Sequence, residues 1–441
     1  MAEIKVIVAG AGIAGLATAI SLRQLNSSGH NFNVHLYERA PELKEIGASI
    51  ALSPNGLRTL ERFGIENALD DNISYRGPSA LPMIYRHWKT NEIVSVDQFA
   101  DVPDHRHQTA RFHRAHLHDA LLQHVPRESI HLNKETISAE ADSNGVTLFF
   151  KDGTSVNGDI LIGADGLRSK VRTTFNPDHK LHWTGRTLFR STFDYSLVKD
   201  IPDLPPDSTH WWGPKTTFFA SRLGRNMYTT VGSFDPRDYS KEDPESVRWD
   251  QVADVSPFKD LYKEDWNPVV KALAEATPYV RLYPNFAGEP LASWVFGSRV
   301  TLIGDAAHTH GGSHAAGGSL ALDDAWALYL SFKQVLATVD PGQKPTSQDI
   351  HQALTLYDNT RRPHTTRLIN GVLGSANAVN PVTDEELRQR MTGRASTIWL
   401  TEHDVNAAFT KVLQDEGLIP SISESGTGPL LQPRIQGQSR L

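Results

Sequence analysis

Gly10, Gly12 and Gly15 stand in the spacing G-x-G-x-x-G immediately after the apolar run Ile4 to Ala9 and before Leu16, Ala17, Ile20 and Leu25 at helical spacing. Glycines so placed let backbone amides and a pyrophosphate approach closely at the positive end of a helix. Glu38 closes the next apolar run, Val34 to Tyr37, where a carboxylate can accept hydrogen bonds from an adenosine ribose. Its charge would repel a 2′-phosphate, which makes NADP a poor occupant, while neighbouring Arg39 can stack on adenine. The alternative is a glycine-rich turn of some other α/β unit.

A second stretch, Gly304-Asp305-Ala306-Ala307-His308, follows the apolar run Val300 to Ile303. Asp305 at a strand end can bind the hydroxyls of a ribityl chain, and the small alanines permit close packing. The pairs Gly311-Gly312 and Gly317-Gly318 free backbone amides for a ligand, and the helix after them aims its positive end there, a field that stabilises an anionic reduced flavin. By itself the stretch also fits an ordinary strand-to-helix turn. A third stretch runs from Gly163-Ala164-Asp165-Gly166 to Arg172; caps at Asp165 and Ser169 account for it structurally.

The elements that must hold these residues follow from periodicity. Strand, glycine turn, helix and second strand complete a β-α-β unit by Glu38. Helices are expected from Gly56 to Gly64 and from Phe112 through Leu122. Alternation around the Asp152-Gly153 turn predicts a hairpin feeding the buried strand Ile160 to Ile162. The aromatic-rich stretch from about Arg186 to Phe234 predicts a separate antiparallel sheet. Long helices are expected over about Ser319 to Val335, Ile350 to Leu373 and Ser396 to Leu413.

Composition bounds the function. The 441 residues suit a two-domain body. A formal charge of -7, from 44 Lys and Arg against 51 Asp and Glu, argues against nucleic acid as partner. Absence of cysteine excludes disulfides, thiolate metal sites, cysteine nucleophiles and a cysteinyl link to a flavin. With no signal-like start and no apolar run of membrane-spanning length, a soluble cytoplasmic protein is expected.

In this order the three stretches resemble the single-component flavin-dependent aromatic hydroxylases, which include salicylate and para-hydroxybenzoate hydroxylases. The likeness runs at least from residue 4 to 375. It implies an α/β fold: a Rossmann-type FAD-binding domain in three parts (1–73, 105–180, 291–375), and a discontinuous second domain built on an antiparallel sheet (74–104, 181–290). C-terminal helices at 376–420 and a flexible tail at 421–441 complete it. FAD would bind non-covalently through Gly10, Gly12, Gly15, Glu38, Arg39, Asp305, Gly317 and Gly318. Ala48 and Ala51, in the stretch from Gly47 to Gly56, would pass beside the flavin ring, and Arg114 would contact the cofactor, a solvated helix charge being the alternative for it. With no second dinucleotide fingerprint, NADPH or NADH would bind transiently as reductant.

One position departs from the family pattern. Four residues past His308 the family carries proline, and here stands Gly312. This version is similar to a fungal subgroup acting on polyketide-derived phenols, which implies hydroxylation through a flavin C4a-hydroperoxide, with oxidative dearomatisation where the attacked carbon bears an alkyl group. The same likeness implies that Arg190 and Tyr228 hold the substrate phenolate; a structural ion pair and plain sheet packing are their alternatives. Phe189, Trp211, Trp212, Phe218 and Phe219 are available to wall the cavity. The partners are then a small phenol and O2, with the protein a monomer or homodimer. Other readings stay open: the same cofactor acting on salicylate, a hydroxynicotinate or an olefin, an FAD oxidase or dehydrogenase, and a non-catalytic flavin-binding protein.

Overall fold

The computed structural model describes residues 2–43, 48–235, 249–375 and 383–420, so Gly47 and the tail expected at 421–441 lie outside them. Strand β1 (Glu3–Ala9) carries Ile4, Val6, Ile7 and Val8, all buried, the composition of a strand covered on both faces. It pairs in parallel with β2 (Asn31–Tyr37) and β12 (Ile160–Gly163). Beyond β12 lies parallel β20 (Val300–Leu302), edged by the short antiparallel β19 (Val295–Phe296), and beyond β2 lies β8 (Ile130–His131). The register is what matters for function. Ala9 sits opposite both Tyr37 and Gly163, and Gly163 opposite Leu302, so four strands end level at one edge.

Smaller sheets brace this one. Ser49–Leu52 (β3), Ser74–Tyr75 (β4) and Ala110–His113 (β7) form one, and Thr136–Ala141 (β9), Val146–Phe150 (β10) and Ser155–Gly158 (β11) form the expected hairpin sheet before β12. Helices α1 (Ile13–Gln24), α2 (Pro54–Arg62), α3 (Arg114–Leu122), α4 (Lys170–Phe175) and α7 (Asp305–His308) belong to the same half.

The second large sheet has the order β17 (Gln251–Ala253), β18 (Val280–Gly288), β13 (Leu181–Asp194), β16 (Met227–Phe234), β15 (Thr217–Leu223), β14 (Thr209–Trp212), β5 (Ile84–His87) and β6 (Ile93–Val96). It is antiparallel except between β14 and β5, which run parallel. β5 comes from much earlier in the chain, so no hairpin dictates its direction. Helices α5 (Ser256–Leu261) and α6 (Pro268–Ala276) seal one face, burying Phe189, Phe193, Phe218 and Phe234 against Phe258 and Leu273. The other face looks toward the first half, where Thr229 Oγ1 donates to Ser49 Oγ at 3.1 Å.

Two long helices, α8 (Gly317–Leu336) and α9 (Ser347–Ser375), follow, then α10 (Asp384–Thr392), α11 (Ile398–Thr401) and α12 (Val405–Asp415). The single helix expected over about Ser396 to Leu413 is broken, because the Asp404 carboxylate accepts from the amides of Asn406 and Ala407 and starts a new helix. No helix among the described residues is long and apolar enough to cross a membrane.

Buried charge locks these helices together. Asp324 on α8 accepts from Arg361 Nε of α9 at 2.8 Å and lies 2.6 Å from His308 Nε2 of α7. Adjacent Asp323 accepts from Asn55 Nδ2 at 2.7 Å and Thr59 Oγ1 at 3.0 Å, both on α2. Burial would raise the Asp324 carboxyl, but the charges of His308 and Arg361 hold it below its usual range. Burial pushes Asp323, less well compensated, up to about 6. Asp324→Ala leaves the buried Arg361 guanidinium only the longer 3.9 Å approach of Asp323 Oδ2 and should cost about 3 kcal/mol, read from the denaturant midpoint; a loss under about 1 kcal/mol would show the pair to be dispensable.

Beside this network the rings of His364 and His403 stack with centroids 3.8 Å apart. Burial and the Arg361 charge lower them to about 2 and about 3. Below about pH 6.5 the unfolded chain takes up protons that the folded one refuses, so stability is intact above that value and lost as pH falls. Denaturation at pH 7.5 and 5.5 should differ by about 1 kcal/mol for each of the two histidines, and replacing both by Phe should flatten the difference. An unchanged slope in that variant would remove them as its cause.

Candidate functional site

The level strand ends place all three glycine-bearing turns side by side. Gly10 has φ +104°, and a Cβ there would stand 2.5 Å from the carbonyl oxygen of Ala164, so the first and third turns touch only because this residue has no side chain. A Cβ on Gly15 would meet the Gly10 oxygen at 2.1 Å, which fixes how closely α1 folds back on its own turn. Gly304 of the second turn packs on Ala14 of α1. Arg172 staples the third turn to the second: its Nη1 donates to the Ala306 oxygen at 2.9 Å and its Nη2 to the Leu167 oxygen at 2.6 Å.

Around this edge the donors suit a dinucleotide. Gly12 caps α1 with no side-chain hydrogen bond, leaving the first amides of that helix open, and the nearest atom to its Cβ position is Arg114 Nη2 at 4.0 Å. The Glu38 carboxylate accepts from the amides of Ala11 and Ala40, each at 2.9 Å, which holds it beside the glycine turn; Arg39 is exposed next to it. His118, which the sequence reading missed, lies with Nε2 2.8 Å from the Ala11 oxygen and anchors the turn from α3. Asp305 is exposed within an otherwise buried segment, and a Cβ on Gly317 would stand 3.8 Å from its Oδ1. Gly318 packs on Ile50 and Leu52, which draws β3 against the start of α8. On that strand Ala51 is buried, and Ala48 just before it accepts from the Arg114 amide at 2.8 Å. These residues fit FAD: open helix amides for the pyrophosphate, an acid at the ribose position and a second acid for the ribityl chain.

The second sheet faces this edge with a cation. Arg190 on β13 stacks its guanidinium 5.2 Å from the Tyr283 ring centroid, and a Cβ on Gly312 would lie 3.7 Å from its Nη2. Burial lowers its pKa without removing the charge. Arg190 has no ion pair and no hydrogen bond among the described residues, and its Nε is buried without a partner. Tyr283 is itself fixed by donating to Asp250 Oδ1, which also pairs with Arg281. Sequence reading missed Tyr283, since only the register Leu188↔Tyr283 brings β18 beneath Arg190.

Tyr228 requires a correction. Phe193 is its cross-strand partner, whereas Arg190 pairs with Val231, and alternation sends these two pairs to opposite faces. Tyr228 is buried on the helix-covered side against Phe193 and Tyr195, away from Arg190. The same parity removes Phe189, Trp211 and Phe218 from the expected cavity wall and puts Phe219 and Trp212 on the opposite face, where Trp212 packs against Tyr85, Leu387 and Met391. Gly312 in turn adopts φ +64°, a backbone conformation closed to proline.

Asp305→Ala should abolish or greatly weaken FAD retention in a folded protein, read as flavin absorbance after gel filtration. Unaltered flavin content would remove Asp305 from the cofactor site.

Comparison with known proteins agrees with this arrangement. The sequence profile of the family described as FAD binding domain matches residues 3–371. Salicylate hydroxylase of Pseudomonas putida is 26% identical over 431 residues, covering 92% of this chain and 93% of its own. The 6-hydroxynicotinate 3-monooxygenase of Bordetella bronchiseptica is 28% identical over 376 residues, with 82% and 89% covered. A solved salicylate hydroxylase substrate complex superposes with a TM-score of 0.74 at 22% identity, covering 93% of this chain and 98% of that one. Klebsiella pneumoniae HpxO with FAD and uric acid gives 0.70 at 24%, covering 93% and 97%. Matched by that profile over most of its length, the chain belongs to the FAD-binding domain family and is an FAD-dependent monooxygenase of the aromatic-hydroxylase type.

Proposed function

We propose that this protein hydroxylates a phenol held as its phenolate by Arg190, using O2 and a transiently bound NADH or NADPH. The observation that carries the reading is a largely buried guanidinium on the sheet face toward the cofactor edge, with no carboxylate paired to it among the described residues. An uncompensated buried cation costs several kcal/mol, and an anionic ligand offsets that cost. FAD bound at the glycine turns supplies oxygen activation. The chain's own part is to make the ring electron-rich and hold it still. Arg190 stays charged at any working pH, favours loss of the phenol proton and can bind an adjacent carbonyl oxygen together with the phenolate. That geometry favours a phenol with an ortho aldehyde or ketone, as polyketide-derived phenols carry. Where the attacked carbon bears an alkyl group, no proton can leave to restore the ring, and a dearomatised hydroxyketone results.

A second reading has support in the names of the relatives, salicylate hydroxylase and 6-hydroxynicotinate 3-monooxygenase, whose substrates carry a hydroxyl and a carboxylate on the ring. The same guanidinium would then meet a carboxylate. Screening ortho-acyl phenols against hydroxy acids for stimulated NAD(P)H oxidation, with product mass and peroxide followed together, separates the two. Arg190→Ala should lose product formation by about a hundredfold or more while the protein stays yellow, and Arg190→Lys should recover part of it. Near-normal product from Arg190→Ala would place the anchor elsewhere.

A further inference from the structure

The sheet row that begins at Arg190 ends in an imidazole that the hydroxylation reading does not use. Arg190 on β13 stands opposite Val231 on β16, Val231 opposite Phe219 on β15, and Phe219 opposite His210 on β14. Directly paired residues share a face, so these four side chains form one line across the side that looks toward the cofactor edge. All four keep accessible surface, whereas Phe189, Trp211 and Phe218, on the reverse of the same strands, are sealed. The line therefore forms a floor with a polar group at each end and an apolar middle. Phe219 is held in that floor by the Arg111 guanidinium, 5.3 Å from its centroid. Three strand spacings of ~4.8 Å separate the end residues, roughly 14 Å between backbones. Arg190 leans over Tyr283, on the side of β13 away from His210, so a ligand that reaches both heads must be at least a fused two-ring aromatic with one substituent at each end.

Trp212 decides which atom the imidazole presents. An indole N–H can only donate, and Trp212 Nε1 lies 3.1 Å from His210 Nδ1, so Nδ1 is the acceptor. Burial, reinforced by the charges of Arg394 and Arg111, pushes the ring down to about 3, so it is neutral at working pH. A neutral ring with Nδ1 accepting carries its proton on Nε2. His210 makes no other hydrogen bond among the described residues, which leaves that proton for a ligand.

We propose that His210 Nε2–H is a second polar anchor for the substrate, donating to a carbonyl-type oxygen at the end of an elongated aromatic opposite its phenolate. The inference rests on the reading of Arg190 as the phenolate anchor. It assigns the substrate a shape: a ring system spanning Val231 and Phe219 with acceptor oxygens at both ends.

The test is calorimetric titration of the FAD-loaded protein with 6-acetyl-2-naphthol and its shape-matched partner 6-isopropenyl-2-naphthol, which lacks the acceptor oxygen. The wild type should bind the ketone about tenfold more tightly. His210→Leu should erase that preference by weakening the ketone alone, and His210→Gln, whose amide nitrogen can still donate, should keep most of it. Equal binding of the two naphthols by the wild type, or failure of both to bind, overturns the proposal without any variant. So does a preference that survives in His210→Leu. Arg190→Ala tests the other anchor separately and should weaken both naphthols alike. If it leaves both unchanged while the His210-dependent preference persists, the phenolate reading fails and the distal donor stands.

Discussion

Everything at the cofactor edge depends on four parallel strands ending level. With Leu302, Gly163, Ala9 and Tyr37 in register, the turns that follow them emerge together, and each must share a few ångströms with its neighbours. That crowding is what the missing side chains at Gly10 and Gly15 answer, and it explains why a turn of structural character, ending in Arg172, stands between the two that face the ligand. A one-residue slip of any strand would swing its turn to the wrong height and reverse its buried faces.

The second sheet contributes by a different rule. Its helix-covered face is an ordinary aromatic core, while its opposite face carries groups that make poor sense as core: a cation with no anion paired to it among the described residues, an imidazole bonded there only through Nδ1, a ring braced by another guanidinium. Residues on one strand divide strictly between these two environments. Chemistry on one side can change with little disturbance to packing on the other, provided the backbone register holds. The carboxylates of Asp323 and Asp324 do the complementary work behind the cofactor edge, tying α8 to α2, α7 and α9.

Local signals made the first half of the molecule legible in the sequence. Gly10, Gly12, Gly15, Glu38 and Asp305 are each defined by what lies within a few residues of them, a strand before and a helix after. The pocket was less legible because its membership is set by parity and pairing. Polar residues fall on both faces of β13 and β16, Ser191 and Thr230 among them on the helix-covered side, so the sequence does not tell inside from outside, and only the register separates Tyr228 from Arg190. Tyr283 comes from a strand distant in sequence and becomes a neighbour of Arg190 only through the order of the sheet, and the same order puts His210 in the Arg190 row three strands away. The break before α12 was legible in principle, since Asp404 is a capping residue, but the apolar spacing on either side runs through it unbroken.

The turn at residues 311–315 is closed to one change that family likeness would invite. Gly311, Gly312, His314 and Ala315 all take left-handed backbone angles, two of them at residues that resist it, so the path of this segment is a commitment of the whole turn. A descendant carrying the family's proline at position 312 could not be reached by exchanging that residue alone; the main chain would have to be rerouted, moving the floor beside Arg190 with it. Backbone route and the surface beside Arg190 are therefore inherited as one unit.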